Sequence, residues 1–188
     1  MKAKQFLPVA PLMFEHRLIE RMIAIMRQKT KQVEELGVPD VRFIDTAVDF
    51  IRTYADRLHH GKEEGILFRD LAAKPLSAEH RQTMEELVAE HVFGRQTTAR
   101  LVAARHRYAG GDSGALTEII DCLFALSDFY PKHIEKEDRR FFVPVMRYFT
   151  PDEQSRMLAE ESEFDLRFVH AHYGAIVDDW AKDGDATE

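Results

Sequence analysis

Four breaks divide an otherwise continuous helical pattern: Gly37-Val38-Pro39, Lys74-Pro75, Gly110-Gly111 and Thr150-Pro151. Between them apolar residues recur at three- and four-residue spacing, and no alternating, strand-like run is worth naming. The pattern predicts a first helix from about Pro11 to Leu36, closed by Gly37. A second runs from about Asp40 to Leu71. A third is N-capped by Ser77 and ends near Tyr108, with Arg105, His106 and Arg107 suited to a helix C-terminus. A fourth runs from about Asp112 to Phe149, bent or interrupted by Pro131 and Pro144. Thr150-Pro151-Asp152-Glu153 reads as a capping box that opens a fifth helix, to about Trp180, ahead of a frayed tail at Ala181 to Glu188.

Four long helices joined by short loops imply an all-α, up-down-up-down four-helix bundle with an additional C-terminal helix. Residues 1–150 would form the bundle. Residues 151–188 would supply a helix and tail packed on or beside it, with Phe164, Phe168 and Ile176 facing the bundle or a partner. A net charge of −7 argues against a nucleic-acid or anionic-membrane surface. No stretch approaches the roughly 18 apolar residues of a membrane span, and Phe6 to Phe14 is too short and too proline-interrupted for a signal-peptide apolar region. The single cysteine, Cys122, excludes an internal disulfide framework and a cysteine-based zinc site. These features together lead to the expectation of a cytoplasmic protein.

The chain carries nine histidines, and their positions on the helices are informative. At about 100° per residue, His16 falls on the stripe of Leu12, Ile19 and Ile23. His91 shares a face with Met84, Leu87, Thr98 and Val102, and His133 with Cys122, Leu126 and Phe129. On the second helix His59 aligns with Val41, Val48, Ala55 and Ile66. His60 falls in a column with Asp49, Thr53, Asp56 and Glu64 that reads as solvated. Four helices therefore each direct one histidine inward. Glu63 and Glu137 stand four residues after His59 and His133, on the same faces, and each has Lys before it and Phe five after it. Two buried carboxylates without partners are costly, and burial alone would raise the pKa of both. A metal cation supplies the partner, and the imidazole–carboxylate set suits Fe, Mn or Zn. His80, His106, His170 and His172 read as outside this set, with His80 exposed in the first turn of its helix. Asp138 is angularly a poorer ligand than Glu137, and Arg95, one turn after His91, either supports the site or snorkels to solvent.

The repeated His-x3-Glu followed by Leu67-Phe68 or Phe141-Phe142 resembles the hemerythrin-like family, the HHE cation-binding domain. The resemblance covers about Pro11 to Phe149 and implies a four-helix bundle holding a non-haem di-iron centre, with Mn or Zn as substitutes. It makes His16, His59, His91 and His133 terminal ligands and Glu63 and Glu137 bridging carboxylates. Oxygen-carrying members place two histidines one turn apart on the third helix, where this chain has Leu87 and Arg95 flanking His91, and use His-x4-Asp on the fourth. One ligand is therefore missing, and His60 is the candidate to replace it. In the F-box iron-sensing branch the residue after the helix-two histidine binds the other iron, which here would put His60 with His91 and His133. The helical wheel argues against this. The iron–sulfur-repair branch also carries His-x3-Glu twice, but with a cysteine-bearing N-terminal segment not seen here.

These readings lead to a di-iron protein that binds O2, NO or peroxide for sensing, scavenging or storage. The alternatives are a di-iron enzyme of oxidase, peroxidase or repair type, or a metal-stabilised interaction module.

Overall fold

The computed structural model describes residues 6–185, with side chains for residues 6–172. Its architecture is all-α, and there are no strands among the described residues. Helix α1 spans Val9–Leu36 and stops where Gly37 takes a left-handed conformation (φ 67°), its N–H returning to the Val33 carbonyl. Helix α2 covers residues 41–72 and starts at Asp40, whose side chain accepts from the Phe43 N–H at 3.0 Å. Helix α3 spans Ala78–Ala109, with Ser77 accepting from the His80 N–H. Helix α4 covers residues 115–148, beginning later than Asp112, which caps the preceding turn. Helix α5 spans Pro151–Asp185. The capping box is present: Thr150 Oγ1 accepts from Glu153 N–H, and Glu153 accepts from Thr150 N–H.

Two stretches of α2, Ile51–His60 and Glu63–Phe68, and one of α4, Glu137–Phe141, are π-helical. Hydrogen bonds there reach five residues back, so each turn holds more residues and neighbouring side chains diverge by less than in an α-helix. Pro131 sits inside the unbroken α-helical stretch Ala115–Lys136, so the change of winding in α4 comes at Glu137 rather than at that proline. Pro144 lies in the last α turn before the 3-10 stretch Met146–Tyr148 that ends the helix.

The helices α1, α4, α3 and α2 pack each on the next, and α2 returns to α1, closing a ring. Helix α5 lies against the Glu63–Phe68 stretch of α2. It runs past the Trp180 boundary, so the chain from Ala181 is helical through Asp185. The expected role of the Ile176 side chain, and residues 186–188 of the tail, lie outside the described residues. The apolar interior is split into two clusters. One contains Ile19, Ile23, Ala55, Leu101, Leu126 and Ile134; the other Leu12, Ile66, Leu87, Phe141 and Phe142. Every helix of the ring passes from one cluster to the other. Its metal-competent side chains fall at the crossing, which puts one polar layer between two apolar ones.

Candidate metal centre

The polar layer brings together His16, His59, His60, Glu63, His91, His133 and Glu137, none more than 2% exposed. Their donor atoms form two sets, His16–His59–Glu63–Glu137 and His60–Glu63–His91–His133, with the atoms of each set within 4.8 Å of one another. Glu63 is common to both: Oε1 lies 3.2 Å from His59 Nε2 and Oε2 lies 3.2 Å from His91 Nε2. Glu137 also faces both ways, with Oε2 3.2 Å from His16 Nε2 and Oε1 3.3 Å from His133 Nε2. His16 Nε2 and His59 Nε2 are 2.9 Å apart. Two donors at right angles around one ion, each about 2.1 Å from it, stand about 3 Å apart, so these spacings fit a shared cation.

Local winding explains how the two glutamates and His60 reach the layer. The π-helical stretches of α2 and α4 begin at Glu63 and at Glu137, the carboxylates of the two His-x3-Glu units. A third, Ile51–His60, ends at the histidine pair. It narrows the angle between His59 and His60, so both turn inward, one toward each set. The expectation that His60 lies in a solvated column is thus corrected: it is 2% exposed and stacks on His91, with ring centroids 3.9 Å apart.

On the other side of each ring, every Nδ1 faces a carboxylate. His16 pairs with Asp138 at 2.7 Å, His59 with Glu15 at 2.8 Å, His91 with Glu64 at 2.7 Å and His133 with Glu90 at 2.9 Å. His60 approaches Asp56 at 3.4 Å. Each of these carboxylates in turn holds a cation: Arg17 on Asp138, Lys62 on Glu15, Arg95 on both Asp56 and Glu64, and Lys136 on Glu90. A carboxylate at Nδ1 keeps the proton there and leaves the Nε2 lone pair facing the centre. Asp138 therefore supports His16, while Glu137, not Asp138, enters the layer. Arg95 is a supporting residue rather than a free surface cation. Lys62 and Lys136, the lysines before the two glutamates, repeat one arrangement: each binds the carboxylate that holds the histidine three residues earlier. The sequence showed this repeat of Lys before Glu, but not the partners Glu15 and Glu90 on other helices.

The charges are set by these contacts. Burial pushes the Glu63 carboxyl up, but His59 and His91 outweigh it and hold it well below the usual carboxylate range. Glu137 is pushed up by burial and by Glu63, yet His133, His16 and His91 leave it lowered as well. Burial depresses His59, and Glu63 and Glu15 reverse this to about 10. His91 is likewise depressed by burial and then raised by Glu137, Glu63 and Glu64 to about 11. Burial and the adjacent His91 keep His60 well below its ordinary value. Without metal, His16, His59 and His91 rather than the two glutamates take up the protons. The expected protonation of the two glutamates is thus corrected, because imidazole partners offset the desolvation that a lone carboxyl would meet.

Neither the charges nor the packing give the centre its full set of hydrogen bonds. His60 Nε2, His91 Nε2, His133 Nε2 and all four carboxylate oxygens of Glu63 and Glu137 are buried and make none. Such groups cost stability unless something else binds them. Their convergence on one layer identifies a cation as the missing partner.

The family model for the hemerythrin HHE cation-binding domain matches residues 7–145. The chain belongs to this family. No curated protein and no solved structure matches it. The hemerythrin domain model ends before Pro151, so α5 lies outside the matched region. The family's cation binding and the two His/Glu sets agree: the donor set found here fits metal ions.

The remaining histidines separate from the centre. His80 is not exposed, as its place in a first turn suggested; it is 7% exposed, with Nδ1 2.9 Å from the Tyr148 hydroxyl. His106 is exposed in the last turn of α3, and His170 is exposed on α5. Cys122 is a buried member of the apolar cluster. No described helix is long and apolar enough to cross a membrane.

Proposed function

We propose that this hemerythrin-family chain holds a non-haem di-iron pair and uses it to bind O2, NO or peroxide, for sensing, scavenging or storage. His16 and His59 would hold one ion and His60, His91 and His133 the other, with Glu63 and Glu137 bridging them. The bundle carrying them would have up-down-up-down topology over residues 1–150, with residues 151–188 as an appended unit. The observation that carries this reading is the convergence of buried imidazole nitrogens and carboxylate oxygens that lack hydrogen bonds.

When bound, the metal pair supplies coordination positions for a small ligand and a store of electrons. The protein's own residues do the rest. The five outer carboxylates hold protons on Nδ1 and fix each ring. The apolar clusters above and below exclude water and strengthen every charge interaction within the layer.

Metal analysis of the protein as isolated, with optical spectra under argon, O2 and NO, tests the proposal. About two iron ions per chain and a spectrum that changes with either gas support it. Zinc at full occupancy with no spectral response would return the site to a structural role. Turnover of peroxide by the loaded protein would instead favour the enzyme reading.

A further inference from the structure

Aromatic rings tie the polar layer to one end of the bundle. Phe68 stacks on His91, with ring centroids 6.0 Å apart and planes 8° from parallel. Phe142, its counterpart in the repeat, stacks in the same way on His16, at 5.6 Å and 8°. The two arms then differ. Phe142 makes no ring contact beyond His16 among the described residues. Phe68 meets Phe141 edge-on at 5.8 Å, and Phe141 stands where the first repeat unit has Leu67. Phe141 in turn meets His80 at 6.3 Å, and His80 meets Tyr148 at 5.5 Å. Every step lies within the roughly 4.5–7 Å of interacting rings. Phe68, Phe141 and His80 are buried, while Tyr148 is partly exposed. The series runs from an imidazole of the metal layer to the surface with a ring at each step.

Its far end can give up a proton together with an electron. The Tyr148 hydroxyl lies 2.9 Å from His80 Nδ1. Its oxygen accepts from the Ser77 N–H at 3.0 Å and from the Arg147 guanidinium at 3.4 Å, which leaves the hydroxyl proton to His80. Ser77 and Arg147, together with His80, draw the Tyr148 pKa down to about 7. An imidazole within hydrogen-bond reach is what proton transfer from a phenol requires. The other aromatic routes lack this ending. His133 contacts Phe129 and Phe129 contacts Phe93, each at 5.2 Å, but the 43% exposed Phe93 has no acidic proton to lose. Tyr130 is nearer the layer, 6.4 Å from His60, but it makes no hydrogen bond to a base among the described residues, and burial pushes its pKa up. Oxidising it would leave a charged, unpaired proton in a buried site.

We propose that Tyr148 is a redox-active tyrosine that passes one electron to the metal layer by way of His80, Phe141 and Phe68, while His80 takes its proton. The inference rests on the reading of the layer as a di-iron pair that reacts with peroxide, and it adds a second source of electrons. Peroxide takes two electrons and two protons to become two waters. When the pair is half reduced, one electron comes from iron and the other from Tyr148, and both protons come from solvent. At Tyr148 the O–H bond breaks and an N–H bond forms at His80 Nδ1, which leaves a neutral tyrosyl radical beside an imidazolium. The partly exposed ring then meets a soluble one-electron reductant such as ascorbate. That electron, with return of the proton from His80, restores the tyrosine.

The test is electron paramagnetic resonance of iron-loaded protein, half reduced, mixed with an equimolar amount of hydrogen peroxide and frozen. An organic radical should form, and ring-deuterated tyrosine should narrow its signal. Tyr148→Phe keeps the ring and should abolish the signal with metal content unchanged, whereas Tyr130→Phe should retain it. His80→Phe keeps an aromatic step but removes the base, and it should lower the radical yield several-fold. Zinc-loaded protein gives a readout without iron: a flash-generated ruthenium(III) bipyridine complex oxidises tyrosines from solution. The kinetic component that is lost in Tyr148→Phe should slow several-fold in His80→Phe. A wild-type protein that consumes peroxide yet forms no tyrosyl radical, or a radical that persists in Tyr148→Phe, overturns this inference and leaves the di-iron reading standing. Unchanged yield and flash kinetics in His80→Phe overturn the role given to His80. If the fully loaded protein does not react with peroxide, the inference falls, and the spectra under O2 and NO decide the functional reading separately.

Discussion

His59 and His60 are consecutive residues whose rings belong to different donor sets, their centroids 5.6 Å apart and their planes 52° from one another. Ideal α-helical winding would send one inward and the other toward solvent. The π-helical stretch ending at this pair puts both in the polar layer. Removing either should therefore cost metal. We expect His59→Ala and His60→Ala each to retain about one ion per chain, as one donor set is damaged while the other persists. Metal analysis of the two purified variants decides this. Full occupancy in His60→Ala would mean that its burial is structural only.

The two lysines of the repeat should differ sharply. Lys62 is fully inaccessible, and its removal leaves Glu15 and Asp165 without their common cation. Lys62→Ala should destabilise the protein by about 3 kcal/mol, the cost typical of breaking a buried pair. Lys136 is a quarter exposed, and Lys136→Ala should cost under about 1 kcal/mol. Urea titrations of the metal-loaded variants measure both. Equal effects would show that the buried position of Lys62 carries no energetic weight.

Glu161 on α5 is buried with neither oxygen hydrogen-bonded, and burial, together with Glu15, Asp165 and Glu63, pushes its carboxyl up to about 8 against the pull of Lys62. Its pKa is raised on folding, so the folded state holds a proton that the unfolded state releases near 4.5. The stability this contributes is complete below about pH 4.5 and declines as pH rises to about 8. Glu161→Gln keeps the shape without the titration. Denaturation midpoints at pH 6 and pH 8 should fall less between the two values in this variant than in the wild type.

Metal removal should change the pH dependence of stability. In the metal-free protein His59 and His91 are raised to about 10 and about 11 from an ordinary 6.5. Their contribution is full below pH 6.5 and declines as pH climbs toward those values. Glu63 and Glu137 are lowered from 4.5, so theirs is present above that value and lost in acid. His60, held well below its ordinary value, costs stability as pH falls below 6.5, so the apo protein should be most stable near pH 6.5. Metal takes the place of those protons and binds only the folded chain. The difference in Tm between loaded and chelated samples should therefore widen from pH 6.5 to pH 9. Calorimetric scans at the two pH values measure it, and a constant difference would contradict the linkage.

The residues that set the helices and aim four histidines inward are local in sequence. Capping by Asp40, Ser77 and Thr150, the turn at Gly37, and the one-face spacing of His59 with Glu63 and of His133 with Glu137 all follow from backbone geometry within a few residues. Tertiary structure decided the rest. His60 turned inward because π winding replaced α winding, a change made where packing across the bundle outweighs regular local hydrogen bonding. The carboxylates at Nδ1 come from residues as distant as Asp138 for His16, 122 positions away, so no local period reveals them. Gly94 and Phe129, on different helices, meet at one level of the bundle, where a Cβ on Gly94 would lie 3.4 Å from the Phe129 ring. Periodicity says which face of a helix is buried; only the register between helices says what that face meets.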